Sequence, residues 1–448
     1  MCIRDSKDAV AEALTWNMPA NARKVLELKQ VLGKTSPAKY ESFHAGVSPD
    51  GNYRGAFLYH GCGTGRDSGK RVQPQNFPRG SMSISDIDRA LEDLKGGMGW
   101  EDVDTFYGDP LDVAASCLRG VICAPEGKDL ICSDYSAVEG RGLAWLAGED
   151  SVLADYIAGR DPYLVAAMPL FDKTYEELAA GMAAKEKWAK DARQAGKPSD
   201  LGFGYGGGIG AYETFSTAYG LDVSHIYNLL RDKFDPEETD KCRFLAERYL
   251  RMHPDTKFRL EEAIGADMAK RLWRESHPYT VLYWKALDEA AHSAVMHPGE
   301  VFPVRNVAYL CADNFLYCRL PSGRVLHYYD PKIKIQEDED FGEREAVTYM
   351  RIDSATNKWR RTFTYGGKLA ENVTQAVCRD LLFFGALKLE SAGYPIVSRI
   401  HDELVACVPE GFGSIEEFES LMATLPKWAA GFPLTAAGGW RGKRYRKD

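Results

Sequence analysis

No apolar run in this chain is long enough to cross a bilayer. The longest, Leu381-Leu-Phe-Phe-Gly-Ala-Leu387, is far short of the roughly 20 residues a spanning helix needs. The opening residues lack the charged, apolar, small-residue order of a signal peptide. Cys-x-x-Cys pairs are missing, and the ten cysteines are scattered. Cys132, Cys378 and Cys407 lie in apolar runs, as reduced core residues do, which argues against a cysteine zinc site and for a cytoplasmic protein. Internal repeats are also absent.

Positive charge is not in excess. Lys and Arg number 56 against 65 Asp and Glu, for a net charge of −9. That does not exclude an anionic partner, because binding follows local potential rather than the sum. Basic residues gather at Arg66, Lys70, Arg71 and Arg79, and again at Arg193 and Lys197. The stretch Arg441-Gly-Lys443-Arg444-Tyr-Arg446-Lys447 reads as a solvated tail. The acidic run Glu337–Asp340 reads as a solvated hairpin tip or loop. With 448 residues, 45% hydrophobic and 27% charged, the chain can build two or three subdomains with substantial cores.

The chemistry gathers in three places. Ile-Val-Ser-Arg-Ile-His-Asp-Glu-Leu-Val-Ala-Cys-Val-Pro (396–409) is two strand-like runs broken by His401, Asp402 and Glu403, where a tight hairpin would turn. Far upstream, the run 129–141 ends another strand on Asp134. Each carboxylate alone is most simply a turn residue or helix cap. Two strand-end carboxylates converging from distant segments suit a two-metal phosphoryl-transfer site. Between them, Arg193, Lys197, Leu201 and Tyr205 fall four residues apart, one helical stripe of two cations, an apolar group and a ring. Cations for phosphates and a ring for a base suit a nucleoside triphosphate. The glycines of Gly204–Gly210 should end this helix and open the next. No strand precedes them, so a dinucleotide fold is rejected.

Together these segments resemble the family A DNA polymerases, the polymerase I class, in the form carried by bacteriophages. The matches are Asp134, Tyr135, Ser136, Glu139 and Arg141 in the first motif, Arg193, Lys197, Tyr205 and Gly206 in the second, and His401, Asp402 and Glu403 in the third. Thr64-Gly-Arg66 with Asn76-Phe-Pro78 resembles the primer-side segment. Leu369–Leu382 resembles the palm helix, and Trp273–Pro278 with Trp284 a fingers segment.

The resemblance implies an α+β polymerase right hand, with an antiparallel-sheet palm, helical fingers and a residual thumb stub. Its expected divisions are 1–50 for the stub, 51–150 for the first part of the palm, 151–298 for the fingers and 299–448 for the rest of the palm. The stub is short and no exonuclease carboxylates precede it, so the sequence is expected to be an N-terminally truncated piece of a longer protein.

By the same resemblance, the implied reaction is template-directed addition of deoxynucleotides to a primer 3′-hydroxyl. Asp134 and Asp402 would hold two Mg²⁺ ions, with the Tyr135 carbonyl as a further ligand and Glu403 in support. Arg193 and Lys197 would take the phosphates, Tyr205 the nascent base pair, and Glu139 would exclude a 2′-hydroxyl. Arg66, Asn76, Gln375 and His401 would hold the primer–template. Leu201 stands where most of the family has Phe or Tyr, and Glu371 replaces an asparagine. The implied partners are primer–template DNA and dNTPs, acting on a monomer in the bacterial host cytoplasm, without a membrane. A phage-type RNA polymerase and a non-catalytic DNA-binding fragment are the competing readings, and Glu139 with the His-Asp-Glu glutamate favours DNA.

Overall fold

The computed structural model describes residues 10, 13–14, 16, 18–32, 38–78, 80–338, 342–353 and 356–446. Arg79, Lys447 and the second half of the 337–340 acidic run lie outside them. The chain divides into two compact units, one of 1–134, 386–422 and 436–448, the other of 135–385 and 423–435.

The first unit is built on a four-stranded sheet in the order Ile396–Ile400, Glu403–Pro409, Lys128–Tyr135, Ala436–Gly442. The first three strands pair antiparallel. Alternation puts Leu130 and Cys132 on one face, where they pack with Ile400, Val405, Trp440 and Tyr445. A helical layer, Ile84–Lys95, Trp100–Tyr107 and Pro110–Cys117, closes on Ala90, Val103, Val113 and Cys117. Its first helix is capped by Ser83, whose hydroxyl accepts from the Asp86 amide.

The basic stretch near residue 441 is not a solvated tail. Arg441 lies in the last strand of the sheet and pairs with Asp129 at 2.8 Å, and Lys443 pairs with the same carboxylate at 2.9 Å. Arg444 reaches Glu92 at 2.6 Å, and Tyr445 is buried. Ladder pairing and complementary acids on neighbouring elements fix what charge pattern alone assigns to solvent.

The second unit is helical from Val138 to Met296 and then turns to β. Six strands from Val301 to Phe363 form an antiparallel meander in sequence order. The residues 320–324 make the turn between its third and fourth strands. Helix Pro278–Met296 packs on this sheet. Helix Gly366–Ser391 follows, beginning three residues before the expected start. The last helix is short, Ile415–Met422, with a separate one-turn segment Lys427–Ala429.

Helix Lys187–Phe203 carries the cation stripe. Its buried face is built of Ala189, Ala192, Ala195, Gly196, Ser199, Gly202 and Phe203, against helix Pro162–Phe171. A Cβ on Gly196 would lie 2.1 Å from the Tyr163 carbonyl oxygen, so only glycine allows this approach. The helix stops at Phe203, two residues before Tyr205, which therefore sits in the following turn and not on the helix. Gly206, at φ +77°, takes the left-handed conformation that the turn requires.

Candidate active site

In the first unit, register decides which groups meet. Glu403 pairs directly with Asp134 across the Glu403–Pro409 and Lys128–Tyr135 strands. Opposed residues of an antiparallel ladder share a face, and so does Cys132, two residues before Asp134. Ligand atoms of Cys132, Asp134 and Glu403 lie within 4.8 Å of one another. The two carboxylates are hard oxygen donors that fit Mg²⁺, whereas a thiol does not. Cys132 is 1% exposed within the apolar core, so it forms the floor beneath the carboxylates.

The hairpin turns where expected, but Ile400 pairs with Glu403, so only His401 and Asp402 form the turn and Glu403 opens the second strand. His401 is exposed and takes φ +56°, an uncommon conformation for a residue with a side chain. Asp402 is half-buried in the same turn and is not in the three-residue group. The carboxylate that the fold sets opposite Asp134 is thus Glu403. Glu403 is 1% exposed, and its Oε1 accepts a 2.7 Å hydrogen bond from the Tyr445 hydroxyl. Burial, and then the Glu403 charge, pushes the Tyr445 phenol far above its ordinary pKa, so it remains a donor.

Arg66 is half-buried. Asn76 is exposed in a one-turn helix and donates to Gln73 Oε1 at 2.8 Å. Arg399 is held by Asp67 at 2.8 Å.

In the second unit, Arg193, Lys197 and Leu201 are all half-buried along one side of their helix. Asp161 pairs with Arg193 at 2.6 Å, and the Tyr163 ring lies under the guanidinium at 4.9 Å. The Lys197 ammonium sits 3.4 Å from the Tyr219 ring centroid. Sequence spacing found the cations but not these partners, which arrive from other helices. Any phosphate must compete with Asp161 for Arg193.

Glu139 and Tyr205 are brought together, the phenol donating to Glu139 Oε2 at 3.5 Å. Burial, then the charge of Glu139, raises the Tyr205 pKa well above its ordinary value. Tyr135 is buried, its hydroxyl donating to the Leu381 carbonyl at 3.4 Å. Gln375 donates to Glu371 at 3.2 Å, and Glu371 also pairs with Lys368 at 2.7 Å, so the residue in place of asparagine organises this stretch of helix. Trp273 stacks between His277 and Trp284, at 4.0 and 5.9 Å between ring centroids.

An antiparallel sheet bearing paired carboxylates, and a helical body bearing a cation stripe, define a polymerase-type α+β fold. No family profile matches the chain. It is 32% identical over 446 residues, 99% of its length, to the DNA polymerase of Bacillus phage SP02, and spans 60% of that relative. Its fold matches the POL domain of Pol1 from M. smegmatis, solved in complex with DNA primer-template and dNTP. The TM-score is 0.54 at 15% identity, covering 98% of this chain and 55% of that one. Together with the three ordered motifs, these similarities support a family A DNA polymerase. Among the described residues, no helix is long and apolar enough to cross a membrane.

Proposed function

We propose that this chain performs template-directed DNA synthesis, adding deoxynucleotides from dNTPs to a primer 3′-hydroxyl with release of pyrophosphate. The observation that carries the reading is the direct pairing of Asp134 with Glu403 at the ends of two strands, in a group with room for a cation. Asp134, Glu403 and the neighbouring Asp402 are the groups to hold Mg²⁺, with two ions expected and the Tyr135 carbonyl as a further ligand. Bound Mg²⁺ would acidify the 3′-hydroxyl and offset charge on the leaving pyrophosphate.

The other residues bind and orient. Arg193 and Lys197 offer preset positive charge to the triphosphate, where negative charge moves during transfer. Glu139, steadied by Tyr205, occupies the place of a 2′-hydroxyl, and Leu201 faces the sugar. Arg66, Asn76, Gln375 and His401 contact the primer–template, testing minor-groove geometry without reading sequence. The chain works as a monomer inside the host cell.

The test is primer extension with each nucleotide type. Mg²⁺-dependent extension with dNTPs supports the reading. Extension with ribonucleotides alone would make the chain an RNA polymerase, and binding without extension would make it a non-catalytic DNA-binding piece.

A further inference from the structure

The six-stranded meander of the second unit has two unlike faces. Along strand Phe315–Arg319, Leu316 and Cys318 are buried while Phe315, Tyr317 and Arg319 point the other way, half-buried or exposed. Tyr309 and Cys318 of the buried face interact with Tyr283 of the covering helix, and Tyr309 with its neighbour Tyr328. The opposite face carries a run of rings. Register sets Tyr329 against Phe315 and His327 against Tyr317. Centroids step 5.8 Å from Tyr317 to Phe315, 5.2 Å on to Tyr329 and 6.0 Å on to Trp359. Tyr329 is 45% exposed and Trp359 59%.

Leaving large rings in water forgoes their burial free energy, and a row of them along one sheet face is an interaction surface rather than a scatter of surface residues. Charge says what it fits. Residues 315–332 and 348–363, which carry the rings, hold seven Lys and Arg against two Asp. Arg324 is held by Asp380 at 2.8 Å, Arg361 and Lys332 pair with Asp330, and Arg360 pairs with Asp353. The remaining three, Arg319, Arg351 and Lys358, are exposed. Arg319 continues the ring row on Phe315–Arg319, and Arg361 stands beside Met350, which is itself paired with Tyr329. Along the sequence, acidic residues gather outside these stretches, with six Asp and Glu in residues 337–345. An apolar protein partner would have no use for this segregation. Rings at intervals of one to two residues, flanked by cations, suit unpaired bases stacking on a flat platform beneath a phosphate backbone.

We propose that the Tyr317–Phe315–Tyr329–Trp359 face binds single-stranded nucleic acid without sequence preference, as a site separate from the carboxylate group. It goes beyond the polymerase reading and stands whether or not the chain extends primers.

The test is fluorescence anisotropy with the full chain and a labelled oligothymidylate of about twelve nucleotides, within the range one such platform covers. A Tyr329→Ala/Trp359→Ala double variant should bind it about tenfold or more weakly, because each stacked base is worth about fivefold or more on alanine substitution and two rings are removed. Tyr329→Phe/Trp359→Phe keeps the rings and should retain affinity. Binding of a blunt duplex should be equal in all three proteins. Oligothymidylate affinity unchanged in the alanine pair, or lost equally in both pairs, would overturn the proposal. Loss of blunt-duplex binding in step with the single strand, or failure of the unaltered chain to bind oligothymidylate, would also overturn it. An Asp134→Ala chain should bind the oligonucleotide normally, which separates this site from any failure of the polymerase reading.

Discussion

The Tyr445 hydroxyl donates a 2.7 Å hydrogen bond to Glu403 Oε1, so a residue 42 positions away holds the carboxylate that faces Asp134. Tyr445 also stacks its ring near Arg119, whose Nη1 donates to the phenol oxygen at 3.2 Å. Glu403 is therefore fixed from behind, and its position is set before any cation arrives.

Tyr445→Phe should lower stability by about 1–3 kcal/mol, since it leaves a buried carboxylate short of a donor. It should also raise the Mg²⁺ concentration needed for half-maximal primer extension. Urea unfolding and a Mg²⁺ titration measure the two effects. An unchanged Mg²⁺ requirement would confine Tyr445 to a packing role.

Asp134→Asn should reduce nucleotide addition at least about a hundredfold, the scale of removing one well-placed electrostatic group, while primer–template affinity is retained. Asp402→Asn and Glu403→Gln, made in parallel, show which neighbour shares the cation load. Substantial extension by the Asp134 variant would rule out the carboxylate site.

Glu139→Ala should admit ribonucleotides, because it removes both the bulk and the charge that Tyr205 steadies at 3.5 Å. Competitive incorporation of deoxy- and ribonucleotides reads the change. A ratio equal to that of the unaltered chain would leave Glu139 as an ordinary helix glutamate.

Two half-buried groups lining one cavity give opposite pH dependences. Burial lowers the His277 pKa from 6.5 to about 4, and burial with the nearby Asp161 charge raises Asp200 from 3.8 to about 6. The His277 contribution is complete above pH 6.5 and is lost as pH falls through 4, because the unfolded chain takes the proton first. The Asp200 contribution is present below pH 3.8 and is lost as pH rises through 6, because the folded chain keeps the proton. Asp200→Asn should therefore stabilise the chain near neutral pH, by at most about 3 kcal/mol. His277→Gln should flatten the loss of stability on mild acidification. Urea midpoints across the acid range check both signs.

Much of this molecule can be read along the chain. Alternation and β-branched runs mark the hairpin around His401 and Asp402, because a strand's period of two and a polar break are local properties. Fourfold spacing marks Arg193, Lys197 and Leu201 as one side of a helix for the same reason. The end of that helix at Phe203, which sets Tyr205 off the stripe, is hinted at only by the glycines that follow. What tertiary structure decided is which groups face each other. Ladder register, a pairing between residues 134 and 403, put Glu403 rather than Asp402 opposite Asp134. Asp161 and Tyr219 reached the two cations from other helices. Strand pairing and buried neighbours turned a basic stretch into the support of a carboxylate. Contacts of this kind depend on how far-apart segments pack, and no local pattern of residues encodes them.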